Sequence, residues 1–179
     1  MNQKQNAITL SLFQERNFSY TPENFILHKA VQFLLQNSII DSIRLKNGDI
    51  YSASVESDID LFSHPHQSYT ISLTFSPHKM GKIITDLKEL IYEMAYGDGI
   101  AQQMIDNFVM SLYANGGYQP IGSKAVQMMN EIMQNGVVID TRKMNFKKVV
   151  TIEAIKRFIQ ELIEKGHHYK YVVVSKTKF

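Results

Sequence analysis

IIDSIRLKNGDIYSASV, residues 39–55, reads as a β-hairpin with Asn47-Gly48 at its turn, because this dipeptide accepts the positive φ values that tight turns demand. A two-residue turn would set Leu45 opposite Ile50 and Ile43 opposite Ser52, and the apolar faces of the strands would disagree. A three-residue loop with a bulge at Gly48 pairs Leu45 with Tyr51 and Ile43 with Ala53. That register keeps one apolar face and is the one expected.

Outward from the hairpin, strands and helices alternate in period. Ala7 to Phe13 sets Ile8, Leu10 and Leu12 against Thr9 and Ser11, and Ser68 to Phe75 sets Tyr69, Ile71, Leu73 and Phe75 against serines and threonines; both have the period of two of half-buried strands. Between the first strand and the hairpin, Thr21 can cap a helix, Pro22 suits its first position, and Asn37 is the expected stop. Ile26, Ala30, Phe33 and Leu34 form its inner face. The polar stretch SDIDLFSHPHQ, 57–67, is expected to be the least structured part.

From Ser76 the period becomes helical. Ser76-Pro77 starts a helix with Ile83, Ile84, Leu87, Ile91 and Met94 in a stripe that ends at Gly97. Asp98 is the expected cap of a second helix, which Asn115-Gly116-Gly117 stops, and Ser123 of a third, which Asn135-Gly136 stops. Val137 to Asp140 then reads as a strand. Thr151 caps a helix ended by Gly166, and Tyr169 to Val174 reads as a last strand whose valine run suggests burial on both faces. The pattern predicts an α+β fold in one domain spanning 1–179, with residues 76–136 as a helical subregion. Its sheet is expected to be mixed and largely antiparallel, of about six strands, accompanied by five helices, three of them consecutive in mid-chain.

Composition narrows the function classes. With 179 residues, 44% hydrophobic and 20% charged, the chain can bury a core and is not a disordered tail. Cysteine is absent, which removes disulfides, thiolate metal ligands and cysteine nucleophiles. The N-terminal MNQKQNAITLSLF lacks the apolar run of a secretory signal, and no stretch approaches the length of a membrane span, so a cytoplasmic protein without membrane attachment is expected.

Charge is unevenly spread. Residues 1–100 hold eight Lys and Arg against eleven Asp and Glu, whereas 101–179 hold eleven against six. Much of the excess lies in TRKMNFKKVVTIEAIKRF, residues 141–158. Within the helix, Glu153 precedes Arg157 by four and Glu161 precedes Lys165 by four, pairings that neutralise the helix itself. Arg142, Lys143, Lys147 and Lys148 before it, and Lys170, Lys176 and Lys178 after it, remain uncompensated. If both flanking segments lie together, these cations share one edge. Phe146, with Tyr169 or Tyr171, would then stack on unpaired bases while the cations contact phosphates. The dull reading is a sheet edge kept soluble by lysines.

Other signatures are weak. GYQPIGSK, Gly117 to Lys124, resembles a phosphate-binding loop, but serine precedes lysine and a helix leads in, so Gly122-Ser123 is read as a helix cap. His64, His66 and His78, with Asp58 and Asp60 upstream, are weak metal candidates whose spacing matches no zinc motif. His167 and His168 suit a helix C-terminus. There is no G-x-S-x-G elbow and no H-E-x-x-H pair. Seven of the nine methionines fall between Met80 and Met133; most lie on core stripes, while Met110 and Met128 lie off them and mark a candidate homodimer contact.

The expectation is therefore a small non-enzymatic binding protein without a cofactor, its target nucleic acid at Arg142, Lys143, Phe146, Lys147, Lys148, Lys170, Lys176 and Lys178. Two alternatives stand beside it. One is a protein-binding module such as an inhibitor, immunity protein or adaptor, and the other a metal-dependent enzyme built on the His64, His66 and His78 region.

Overall fold

The computed structural model describes residues 6–15, 20–44, 50–60, 66–114, 141 and 144–173. Strand β1 (Asn6–Glu15) lies between β3 (His66–Phe75) and β4 (His167–Val173), and β2 (Ile50–Asp60) pairs on the far side of β3. Every pairing is antiparallel. The period of two in the sequence now has its cause. In β3, Gln67, Tyr69, Ile71, Leu73 and Phe75 all point into the core while their neighbours are half-exposed. Opposite Leu73 and Tyr69 on β1 stand Ile8 and Leu12, both buried, so the two inner faces coincide.

Helix α1 (Pro22–Ser38) starts as expected: the Thr21 hydroxyl accepts from the Asn24 amide at 3.2 Å and proline fills the first turn. Its end differs. Asn37 does not stop the helix but donates its side-chain amide to the Phe33 carbonyl at 2.7 Å, and the chain continues beyond Ser38 as a π-helical segment, Ile39–Arg44. Ile39 and Ile43, four residues apart, are both fully buried on one helical face. A short apolar run satisfies either period, and here packing against the first middle helix selects the helical one. The hairpin read around Asn47-Gly48 is therefore corrected. The hairpin partner of β2 is β3, its connection lies within the expected 57–67 loop, and the bulge falls at the Ile50/Ser52 register shift.

Helix α2 (Met80–Tyr96) buries Ile83, Leu87, Ile91 and Met94, the stripe the sequence shows, and ends at Gly97. A Cβ on Gly99 would lie 2.8 Å from the Glu93 carbonyl carbon and the Met94 nitrogen, so glycine is required for the chain to fold back there. Helix α3 (Gln102–Ala114) begins four residues after Asp98, which is not its cap; the Asp98 carboxylate lies 3.9 Å from Lys156 Nζ instead. A single turn, α4 (Phe146–Val149), is capped by Asn145, whose side-chain oxygen accepts from the Lys148 amide at 3.3 Å. Helix α5 (Ile152–Lys165) is capped by Thr151, whose hydroxyl accepts from the Ala154 amide at 3.1 Å, and ends at Gly166.

Helix α1 covers β2 and α5 covers β1, side by side on one face of the sheet. Helix α2 packs against α5, and α3 against α1. Ile8, Leu12, Ile26, Val31, Leu34, Tyr69, Ile71, Phe75, Leu87 and Ile155 belong to one continuous core, in which each large aliphatic side chain contributes about 1.5–3 kcal/mol. The α+β class holds, but the expected sheet does not. Four strands rather than about six are present among the described residues, and none is parallel. Residues 39–44 of the expected hairpin are helical, while the 137–140 strand and the helix from Ser123 lie outside the described residues, as do the side chains of 168–173 on which the two-sided burial of the last strand depends. Among the described residues no helix is long and apolar enough to cross a membrane.

Candidate functional site

A cleft of about 380 Å³ opens between the first turns of α1, the outer face of α5 and the ends of β2 and β3. Phe25, Leu27, Ile59 and Phe158 form its apolar walls, and Asn24, Gln67, Arg157 and Glu161 supply donors and acceptors. Tyr20 closes one side, its ring edge-on to Phe25 with centroids 6.4 Å apart. The site follows from local rules: the Thr21 cap fixes the entry of α1, and helical spacing brings Ala154, Arg157, Phe158 and Glu161 to one face of α5. Glu161 is also held by Lys165 at 3.5 Å, one of the two pairings expected on this helix. Mixed apolar walls and a few convergent polar groups suit non-covalent grip on a ligand of similar character, such as a peptide segment.

Behind the cleft floor lies a buried polar cluster that sequence reasoning missed. Gln14 on β1 and Gln67 on β3 stand directly opposite in register, both buried, and the Gln67 amide donates to Gln14 Oε1 at 2.7 Å. Next to them His28 of α1 is wholly buried against the Tyr69 ring. Neither imidazole nitrogen makes a hydrogen bond of good geometry among the described residues. Burial, reinforced by the neighbouring Lys29 charge and only partly opposed by Gln67, pushes the His28 imidazole down to about 3, so it is neutral near pH 7. The signal was available: continuing the inward series Leu12, then 14, and Tyr69, then 67, places a glutamine on each strand at a core position.

Of the residues singled out from the sequence, Phe146, Lys147, Lys148, Lys170, His66 and His78 lie among the described residues. Phe146 is 2% exposed and packs edge-on to Tyr113 with centroids 5.1 Å apart, so it has no face to offer a base. Lys147 and Lys148 are exposed on α4, whose principal neighbours are α1 and α3, whereas Lys170 sits on β4 beside β1. Arg142, Lys143, Lys176 and Lys178 lie outside the described residues, as does His64. His66 opens β3 and lies 3.6 Å from Asp58, while His78 is exposed just past the far end of the same strand. Nine strand steps separate the two ends of β3, about 30 Å, so His66 and His78 cannot share an ion. Among the described residues no three His, Asp or Glu side chains come close enough to hold a metal.

No protein-family model matches the sequence, and no curated protein sequence matches it. Solved structures do. Across 98% of its length the chain is similar to part of the periplasmic protease PqqL from Escherichia coli, with a TM-score of 0.79 and 16% identity, covering 20% of that chain. It is similar over 96% of its length to the ferredoxin protease FusC, crystallised with Arabidopsis ferredoxin, with a TM-score of 0.71 and 15% identity, covering 19% of that chain. A peptidase M16 inactive domain from Pseudomonas fluorescens matches over 93% of this chain at a TM-score of 0.64 and 14% identity, covering 40% of that chain. The chain thus spans about a fifth of the two proteases and two fifths of the inactive domain. The nucleic-acid assignment is corrected by a fold it did not foresee: this chain has the fold of a peptidase M16 domain.

Proposed function

We propose that this chain is a non-catalytic peptidase M16-type domain that contacts polypeptide on behalf of a proteolytic partner domain. The observation that carries the reading is the fold likeness, extending over 93% of the chain, to a domain described as an inactive M16 peptidase. Histidine spacing agrees with it. Six histidines occur, and none stands in an H-E-x-x-H or H-x-x-E-H run, the spacings that put two imidazoles and a carboxylate on one helical face to hold zinc and polarise water. The cleft between α1 and α5, with aromatic walls and both signs of charge at its rim, is where polypeptide contact is expected.

The test has two arms. Cleavage of a quenched fluorescent unfolded protein by the purified chain is measured with and without added zinc. In parallel, anisotropy of a labelled unfolded polypeptide is measured against wild type and a Phe158→Ala, Arg157→Ala variant. No cleavage, with saturable binding that the variant weakens, is the expected result. Zinc-dependent cleavage overturns the non-catalytic reading, and absence of saturable binding overturns polypeptide contact.

The cytoplasmic address expected from the N-terminal residues stays a proposal, since a fold relative is described as periplasmic; fractionation decides it. The homodimer through the middle helices also stays a proposal, with Met110, 67% exposed on α3, as its nearest described contact residue.

A further inference from the structure

Strand β2 is the outermost strand on its side of the sheet, eleven residues long, with β3 on one side and no strand on the other among the described residues. An edge of that length normally presents alternating backbone N–H and C=O groups that template pairing with another chain. In the middle of β2 three of these groups, the Ala53 carbonyl and the Val55 amide and carbonyl, are already engaged by side chains of α1. Gln36 Oε1 accepts from the Val55 amide at 2.7 Å, and Gln36 Nε2 donates to the Ala53 carbonyl at 3.3 Å. Gln32 Nε2 donates to the Val55 carbonyl at 2.9 Å, and its Oε1 accepts from the Ser57 hydroxyl at 2.7 Å. Lys29 Nζ donates to the same hydroxyl at 2.9 Å.

A carboxamide carries the donor and the acceptor of a peptide group, so two glutamines in a row can do for a strand edge what a neighbouring backbone does. The spacing makes the row fit. Lys29, Gln32 and Gln36 lie on one stripe of α1, spanning seven residues or about 10 Å of helix, and the β2 segment from Ala53 to Ser57 spans four steps or about 13 Å. The network therefore covers the edge from the Ala53 carbonyl through both backbone groups of Val55 to the Ser57 hydroxyl.

We propose that Lys29, Gln32 and Gln36 form a polar latch that closes the β2 edge to strand addition by a second copy of this chain. A second copy is a competitor whose edge matches this one. Antiparallel β2 to β2 pairing about Ser54 is self-complementary, setting Glu56 opposite Ser52 and Asp58 opposite Ile50, so the acidic residues do not face each other. Latched, the chain meets partners through other surfaces; unlatched, its own edge becomes its strongest association site. The inference rests on the hydrogen bonds along β2 and not on the proposed role in polypeptide contact.

The experiment combines residue-resolved amide hydrogen exchange with sedimentation of the purified full chain over a wide concentration range. Wild type is expected to sediment without β2-mediated association and to show the Val55 amide protected although it faces outward from an edge strand. Gln32→Leu, Gln36→Leu, which keeps side-chain size and removes the amides, is expected to speed Val55 exchange about tenfold, the loss of one hydrogen bond, and to associate with rising concentration. Gln36→Glu keeps the acceptor for the Val55 amide and is expected to retain most of its protection, which decides the case if the double variant does not fold. Wild-type Val55 exchange as fast as a free edge amide, equal exchange in Gln36→Glu and a folded double leucine variant, or a double variant that stays monomeric would overturn the latch.

Discussion

The His28 and Tyr69 rings pack with centroids 4.5 Å apart and planes tilted by 32°, and the Tyr69 hydroxyl donates to the His28 backbone carbonyl at 3.1 Å. The contact ties α1 to the middle of the sheet with two polar side chains beside the buried Gln14 and Gln67 pair. Burial has opposite effects on them, lowering the histidine to about 3 and raising the tyrosine well above its usual 10.0. Both are held neutral across the working pH range.

Acid lability follows from the histidine. Its folded value lies below the unfolded 6.5, so the unfolded chain binds the extra proton. Its contribution to stability is present above about pH 6.5 and is lost as pH falls toward 3. Denaturant unfolding at pH 6.5 and pH 5 should differ by about 2 kcal/mol, at 1.36 kcal/mol per pH unit. His28→Leu should flatten that dependence; an unchanged slope in the variant would assign acid lability to other groups.

Tyr69→Phe removes one buried donor and leaves the ring in place. The expected loss is about 1 kcal/mol at pH 7. Because the wild-type phenol resists ionisation, absorbance titration of the folded chain should also leave Tyr69 untitrated after the exposed tyrosines have ionised, and the untitrated count should fall by one in the variant.

The Gln14 and Gln67 pair should behave non-additively. Gln67→Leu strands the buried Gln14 acceptor and should cost about 1–3 kcal/mol, whereas Gln14→Leu, Gln67→Leu together should cost much less. Thermal or denaturant unfolding of the three variants closes the cycle, and simple additivity would mean the two side chains do not depend on each other.

Phe146 separates the corrected reading from the original one. As a core residue it should lose about 3–5 kcal/mol on Phe146→Ala, while Lys147→Gln and Lys148→Gln should each stay within about 0.5 kcal/mol. A stable Phe146→Ala protein would contradict its burial between α3 and α1.

The helix caps should act independently. Thr21→Ala and Thr151→Ala each remove one hydroxyl acceptor and should each cost about 1 kcal/mol. The double variant should show their sum, since the two caps sit on different helices and share no partner.

Local chemistry was legible wherever one residue type answers to one geometry. Thr21 and Thr151 cap, Gly97 and Gly166 terminate, and the alternations in 7–13 and 68–75 name the inward faces of β1 and β3, because these rest on hydrogen bonds and periods confined to neighbouring residues. The candidate cleft was not legible. Phe25 and Ile59 meet Phe158 only after α1 and α5 are laid on the same sheet, and Gln14 finds Gln67 only once β1 and β3 are in register.

The sequence by itself determined the α+β class, the starts of α1 and α5, and the absence of cysteine chemistry and zinc-holding histidine spacing. Tertiary structure alone decided that Ile39 and Ile43 continue a helix instead of pairing as a strand, and that Phe146 is core. The physical reason is common to both. Isoleucine and phenylalanine each fit more than one local geometry, and the choice falls to whichever arrangement removes the most apolar surface from water.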